Sequence, residues 1–173
     1  SSTKVAVVKD WKVVASFVYR VFNKDVLASL FRSYPLDKGI FSTVTAVDED
    51  VVAYLESHLS RFVFFDSQVK LPIAIEYKTP ATLGKDRIAA VVGAYHYQPG
   101  RNLLVIDAGT CITYEVVEAA GRYIGGNISP GMTTRFKALE HYTSKLPYVE
   151  ETDDVPCIGQ STEEAIQAGV VNG

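Results

Sequence analysis

The feature that most constrains this chain is a short apolar run that stops at an acid followed by glycine. Within RNLLVIDAGTCITYEVVEAAGRYIGGNISPGM, residues Arg101 to Met132, Leu103 to Ile106 show no polar alternation, which predicts a strand buried on both faces. The strand ends in Asp107, Ala108, Gly109 and Thr110. A carboxylate at a strand tip, beside a residue without a side chain, lets a phosphate approach bare backbone N–H groups while the acid faces a cation. Taken alone, Asp-x-Gly-Thr reads first as an ordinary strand end turning into a hairpin, and its context shifts the weight. Ile112 to Val117 and Arg122 to Ile124 are predicted as antiparallel strands joined by a turn at Ala119 to Gly121. A Rossmann glycine loop opens a helix, whereas this one opens a hairpin, so a phosphate would meet a β-turn. Gly125, Gly126 and Gly131 then precede the amphipathic run Thr134 to Leu146, whose start is a candidate second anion site.

The same design recurs near the start of the chain. Thr3 to Val8, a polar turn at Lys9 to Trp11 and Lys12 to Phe17 read as a hairpin, followed by a helix from about Asn23. Aligning Thr3 with Thr113, 110 positions on, superposes Lys9 to Trp11 on Ala119 to Gly121 and Lys12, Val13, Val14 on Arg122, Tyr123, Ile124. Two copies of one unit predict a duplicated domain with a cleft between its halves, residues 1–100 and 101–173. On that reading the first copy lacks its opening strand and acid, and the second lacks C-terminal sequence.

Between the copies, Asn23 caps a helix with Val26, Leu27, Leu30 and Phe31 inward, ending before Pro35. Gly39 to Val47 reads as a strand, Asp48 as the cap of a helix burying Val51, Val52, Leu55 and Leu59, and Phe62 to Phe65 and Leu71 to Tyr77 as further strands. After the turn-rich Lys78 to Thr82 comes Gly84-Lys85-Asp86-Arg87 and a helix through Ile88, Ala89, Val92 and Tyr95. Asp86 there suits the helix dipole and Arg87 could pair with any carboxylate. Beside a phosphate site, Asp86 could instead accept a hydroxyl proton and Arg87 hold a substrate carboxylate bidentately. Ser161 and Glu164 fit a capping box ahead of Ala165, Ala168 and Gly169, small residues that permit close packing.

Composition narrows the partners. With a net charge of −3 over 173 residues, 47% of them hydrophobic, the chain has no basic footprint, which argues against nucleic acid and anionic membrane surfaces. No apolar run approaches the roughly 20 residues that span a bilayer. Cys111 and Cys157 have no C-x-x-C partner, which argues against zinc and a disulfide framework and for a reducing cytoplasm. His58, His96 and His141 fall inside helical patterns, where packed or surface roles prevail.

Tyr77, Gly84-Lys85-Asp86-Arg87, Asp107-Ala108-Gly109-Thr110, Gly125-Gly126-Asn127-Ile128-Ser129-Pro130-Gly131 and Ser161-Thr162-Glu163-Glu164-Ala165-Ile166 together resemble the type III pantothenate kinases, of the acetate and sugar kinase, heat-shock chaperone and actin superfamily. The resemblance covers nearly the whole chain, with four motifs in order. It implies an α/β fold built as a duplicated ribonuclease-H-like unit, with mixed sheets flanked by helices, and phosphorylation of pantothenate by ATP with Mg2+ in a bacterial cytoplasm. Asp86 would be the general base. Tyr77, Gly84, Lys85, Arg87 and Thr162 would hold pantothenate, Gly109, Thr110 and Thr113 the phosphates, and Asp107 the metal. A monovalent cation, K+ or NH4+, and a homodimer are implied as well. The family's N-terminal Asp-x-Gly-Asn loop is expected immediately before Ser1 and its C-terminal portion after Gly173, and without them the chain is expected to be inactive. Two alternatives stand beside this: a catalytically silent nucleotide- or pantothenate-binding regulator, and another small-molecule kinase or phosphohydrolase of the superfamily.

Overall fold

The structure is a computed structural model and describes residues 2–43, 45–46 and 48–173. The chain folds into two compact units, Ser1–Val69 and Lys70–Gly173, both of mixed α/β character.

The first unit opens with β1 (Thr3–Lys9) and β2 (Lys12–Tyr19), an antiparallel hairpin. Its turn is only Asp10 and Trp11, both at positive φ (50° and 64°), the two-residue primed geometry that matches strand twist. Helix α1 (Lys24–Ser33) starts where predicted: Asn23 Oδ1 accepts the Val26 N–H at 3.1 Å. Strands β3 (Lys38–Phe41) and β4 (Arg61–Phe64) pair in parallel, joined through α2 (Glu49–His58), whose cap Asp48 accepts the Asp50 N–H. Leu27, Val51 and Leu55 form the core here, with Phe31, Phe41, Leu59 and Phe62 packed on them. The described part of the strand predicted over Gly39 to Val47 is β3, which stops at Phe41. Val44 and Val47 lie outside the described residues.

The second unit is built on a four-stranded sheet of order β5-β8-β7-β6, comprising β5 (Ala74–Ile75), β6 (Leu103–Ala108), β7 (Cys111–Glu118) and β8 (Arg122–Pro130). The strand predicted over Leu71 to Tyr77 shrinks to two residues parallel to β8. Pro72 has no N–H to give a ladder. Helix α3 (Lys85–Tyr97) packs on β6 and β7 and closes a core of Ile73, Leu83, Val91, Val117 and Tyr123. Leu103 and Val105 join that core, but Leu104 and Ile106 are 62% and 56% exposed, which corrects the expectation of a strand buried on both faces. β6 lies at the sheet edge with α3 on one face, and its outer positions happen to be apolar, so the sequence shows no alternation. Helices α4 (Met132–Tyr142) and α5 (Thr162–Asn172) pack together through Phe136, Val149, Ile166 and Val170. α4 is capped at Gly131 and ends before Thr143, short of the predicted Leu146. The Thr143 hydroxyl donates to the Leu139 carbonyl and accepts the Leu146 N–H, which turns the chain out of the helix.

The two hairpins correspond in detail. Each carries a register break: the pairing slips between Val7 and Val8, skipping Val14, and between Val116 and Val117, skipping Ile124. The second strands align at 110 positions, as the sequence comparison has it, but the first strands align at 109. The difference is in the turn. Ala119 to Gly121 contains three residues and closes with Gly121 at φ 74°, whereas the first turn has two. An ungapped alignment therefore places Thr3 on Thr113 where the ladders place it on Ile112.

Candidate functional site

The N-terminus of α3 gathers most of the predicted acceptor-site residues. Gly84 is its N-cap, with no side-chain cap. A Cβ at Gly84 would collide with Asp86 Oδ1 and sit 3.7 Å from Arg87 Cδ, so the glycine gives the Asp86 carboxylate room to fold back over the helix start. Lys85 and Asp86 occupy the first turn. Tyr77, just beyond β5, lies over this end: its ring centroid is 5.6 Å from Arg87 Cζ and 6.1 Å from the Tyr123 ring, a distance at which a guanidinium is attracted to an aromatic face.

Arg87 does not stand free. It is 7% exposed, and its guanidinium grips Glu115 of β7, itself 1% exposed, through Nε to Oε1 at 2.6 Å and Nη2 to Oε2 at 2.8 Å. Nη2 also donates to the Tyr123 hydroxyl at 2.9 Å, and that hydroxyl donates to Glu115 Oε2 at 2.6 Å. Of the carboxylates that Arg87 could pair with, Glu115 is the one it meets. Burial pushes the Glu115 carboxyl up, but hydrogen bonds from Arg87, Tyr123 and Thr113 outweigh it and hold the group below the usual carboxylate range. The bond to Glu115 raises Arg87, against the opposing effect of burial. Burial and the bond to Glu115 raise Tyr123. The network is a permanently ionised pair at neutral pH.

Neither Glu115 nor Tyr123 was singled out from the sequence. One signal was available: along β7, Glu115 is in phase with Thr113 and Val117, the inward-facing set, so an acid sits where alternation calls for an apolar residue. Gly126, opposite Glu115 in the ladder, leaves it space. A Cβ there would collide with the Tyr114 carbonyl oxygen and with Glu115 Oε2. Gly125 and Gly126 thus lie inside a strand, floor the Tyr77 and Glu115 side chains, and do not form a loop at a helix start.

The predicted phosphate residues gather at the β6–β7 turn. Asp107 pairs with Thr113, Gly109 N–H donates to the Cys111 carbonyl at 2.9 Å, and Asp107, Gly109 and Thr110 are exposed. The start of α4 abuts this turn, because Thr110 O accepts both the Gly131 N–H at 2.9 Å and the Thr134 hydroxyl at 2.7 Å. The turn and the helix start, taken from sequence as two separate anion sites, are one junction. Among the described residues no group of three or more His, Cys, Asp or Glu side chains gathers as a metal cage. A lone exposed acid such as Asp107 still fits Mg2+, which is commonly held by one or two carboxylates with substrate phosphates completing its shell.

Thr162 is exposed at the start of α5, the helix that packs on α4 through Ile166 and Val170. Ser161 caps α5 by accepting the Glu164 N–H, and the reciprocal bond runs from the Gln160 N–H to Glu164 Oε2 at 2.7 Å, one residue earlier than in a standard capping box. Both cysteines are exposed and free. Among the described residues no helix is long and apolar enough to cross a membrane.

Comparison with known proteins gives the family. The family model for type III pantothenate kinases matches residues 1–173. A type III pantothenate kinase of Phocaeicola vulgatus is 44% identical over 173 residues, all of this chain and 72% of that protein. One from Bacteroides fragilis is 47% identical over 149 residues, covering 86% of this chain and 61% of its own length. One from Cytophaga hutchinsonii is 49% identical over 149 residues, with 86% and 62% covered. The chain therefore spans between about three fifths and three quarters of these relatives. A solved chain from Campylobacter jejuni, assigned to the Baf family of transcriptional activators, aligns at 24% identity over 91% of this chain and 66% of its own, with a TM-score of 0.43, too low to support an argument. A whole-length family match and relatives above 40% identity, joined to an Asp86–Arg87 helix start and an Asp107–Thr110 turn, place this chain in the type III pantothenate kinase family.

Proposed function

We propose that the protein transfers the γ-phosphoryl group of ATP to the primary hydroxyl of pantothenate, giving 4′-phosphopantothenate and ADP, the first committed step of coenzyme A synthesis, in the bacterial cytoplasm. The observation that carries this reading is the convergence of Asp86, Arg87 and Tyr77 at the start of α3. An alcohol acceptor bearing a carboxylate needs a base for the first group and a cation for the second.

In this reading the acceptor hydroxyl gives its proton to Asp86 as its oxygen attacks the γ-phosphorus, and ADP departs. Tyr77, Gly84, Lys85, Arg87 and Thr162 hold pantothenate. Gly109, Thr110 and Thr113 meet the phosphates, and Asp107 faces Mg2+, which when bound neutralises phosphate charge. Phosphoryl transfer is catalysed chiefly by alignment and charge neutralisation, and the rigid seating of α3 on β6 and β7 supports the first of these. A monovalent cation, K+ or NH4+, and a homodimer belong to the same proposal. So does the duplicated ribonuclease-H-like fold, with halves 1–100 and 101–173, for which the matched register breaks of the two hairpins are the support.

An ATP-dependent phosphorylation assay with pantothenate on the full-length protein, with and without potassium, tests this. A positioned carboxylate base contributes about 10²–10⁴ in rate, so Asp86→Asn is expected to lose at least that much turnover while its far-UV circular dichroism is unchanged. An Asp86→Asn protein that keeps its turnover removes Asp86 from the mechanism. A folded parent that makes no phosphopantothenate leaves the regulator, or a different phosphotransfer, as the better reading.

A further inference from the structure

The donors of Arg87 can be counted. A guanidinium carries five N–H groups in a planar fork. Nε gives its one hydrogen to Glu115 Oε1, and Nη2 gives its two to Glu115 Oε2 and the Tyr123 hydroxyl. The remaining two are on Nη1, and Tyr77 also hydrogen-bonds this guanidinium. The Nε–Nη2 edge is thus taken by Glu115, so a substrate carboxylate cannot have the bidentate grip that the sequence suggests, and the nitrogen left to it has its direction set by what holds the opposite edge.

We propose that Glu115 is a positioning residue for substrate recognition: it aims Nη1 of Arg87 at the carboxylate of the acceptor. This rests on pantothenate being that acceptor. Glu115 itself, 1% exposed beneath the helix, touches no substrate. Its seat is specific on each side. The fork–fork pairing with Arg87 fixes the plane of the guanidinium, Tyr123 fixes the rotation of the carboxylate, and the bare backbone of Gly126 leaves it room. Thr113 hydrogen-bonds the same carboxylate and pairs with Asp107 across β6 and β7, so the acceptor grip and the phosphate turn are referenced to one side chain. Because Glu115 cancels the charge of Arg87 at close range, recognition depends on the aim of a hydrogen bond more than on a positive field.

Steady-state kinetics of full-length wild type and Glu115→Gln test this. Glutamine keeps the shape, loses the charge and turns an NH2 toward the donors of Arg87 or Tyr123. Misdirecting one charge-assisted hydrogen bond is expected to raise KM for pantothenate about tenfold, with KM for ATP within about twofold and kcat within about threefold. Glu115→Asp, which keeps the charge, is expected to recover part of the loss. A merely structural role would lower kcat through loss of folded enzyme and leave both KM values in place. Folded Glu115→Gln with an unchanged pantothenate KM overturns the inference. Where Glu115→Gln does not fold, Tyr123→Phe carries the same readout, since it removes an acceptor of Nη2 and leaves the ion pair. An unchanged pantothenate KM there overturns the inference equally. A wild type that phosphorylates another acceptor but not pantothenate overturns the functional reading, and this one with it.

Discussion

Replacing Arg87 by leucine strips the partner from a carboxylate that is 1% exposed. Glu115 loses two charge-assisted hydrogen bonds, at 2.6 and 2.8 Å, each contributing about 1.5–3 kcal/mol, and keeps those from Tyr123 and Thr113. Its desolvation is unchanged, so the net loss at pH 7 is expected to be about 3–5 kcal/mol, as for other broken buried pairs. That is a large fraction of the roughly 5–15 kcal/mol that holds a typical protein folded. The pH dependence has a definite sign. In the wild type the lowered pKa of Glu115 stabilises the fold above the unfolded value of about 4.3 and that stabilisation fades as pH falls through the folded value. In Arg87→Leu burial dominates and raises the folded value, so the variant gains stability as pH falls toward about 4. The gap between the two proteins should therefore narrow from pH 7 to pH 4.5 in urea unfolding followed by far-UV circular dichroism. Adding Glu115→Gln to Arg87→Leu removes the stranded charge while leaving Tyr123 an acceptor, and should restore more than half of the loss. A penalty below about 1 kcal/mol, or a double variant as unstable as the two singles summed, would refute the claim that the pair is coupled and sealed from water.

Two glycine substitutions should move stability in opposite directions. Gly126→Ala drives a Cβ into the Tyr114 carbonyl oxygen and Glu115 Oε2, and since a backbone oxygen in a ladder cannot step aside, a loss of about 1–3 kcal/mol in a thermal melt is expected. Gly93→Ala, in the interior of α3 where the added methyl meets nothing within 4 Å, should gain about 0.5–1 kcal/mol, and a loss there would mean that α3 is packed more closely along that face than described.

What the sequence made legible was local. Asn23, Asp48 and Ser161 announce their helices because a capping side chain bonds a backbone N–H two or three residues away. The hairpins follow from β-branched content and turn residues. The Gly84–Arg87 and Asp107–Thr110 stretches stand out as candidate sites because glycine next to an acid is a poor choice for a plain strand or helix. What stayed hidden depended on partners distant in sequence. Leu104 and Ile106 look buried until one knows which face of β6 the helix α3 covers. The 109-residue offset of the first strands needs the ladder itself. Glu115 is separated from Arg87 by 28 positions, and no spacing rule connects a strand residue to a helix residue that docks across a sheet.

The Arg87–Glu115 pair also dictates an order of assembly. Strands β6, β7 and β8 are joined by short turns and can zip from local contacts, which form early because little loop entropy opposes them. While α3 is undocked, Glu115 on that sheet and Arg87 on the helix both keep their water. Neither charge can be dried before the other arrives, so a partly docked α3 meets only the cost of desolvation, and the return comes when the fork closes. Docking of this helix is thereby all or none, and the turn at Asp86 becomes ordered in the same event that seals the core.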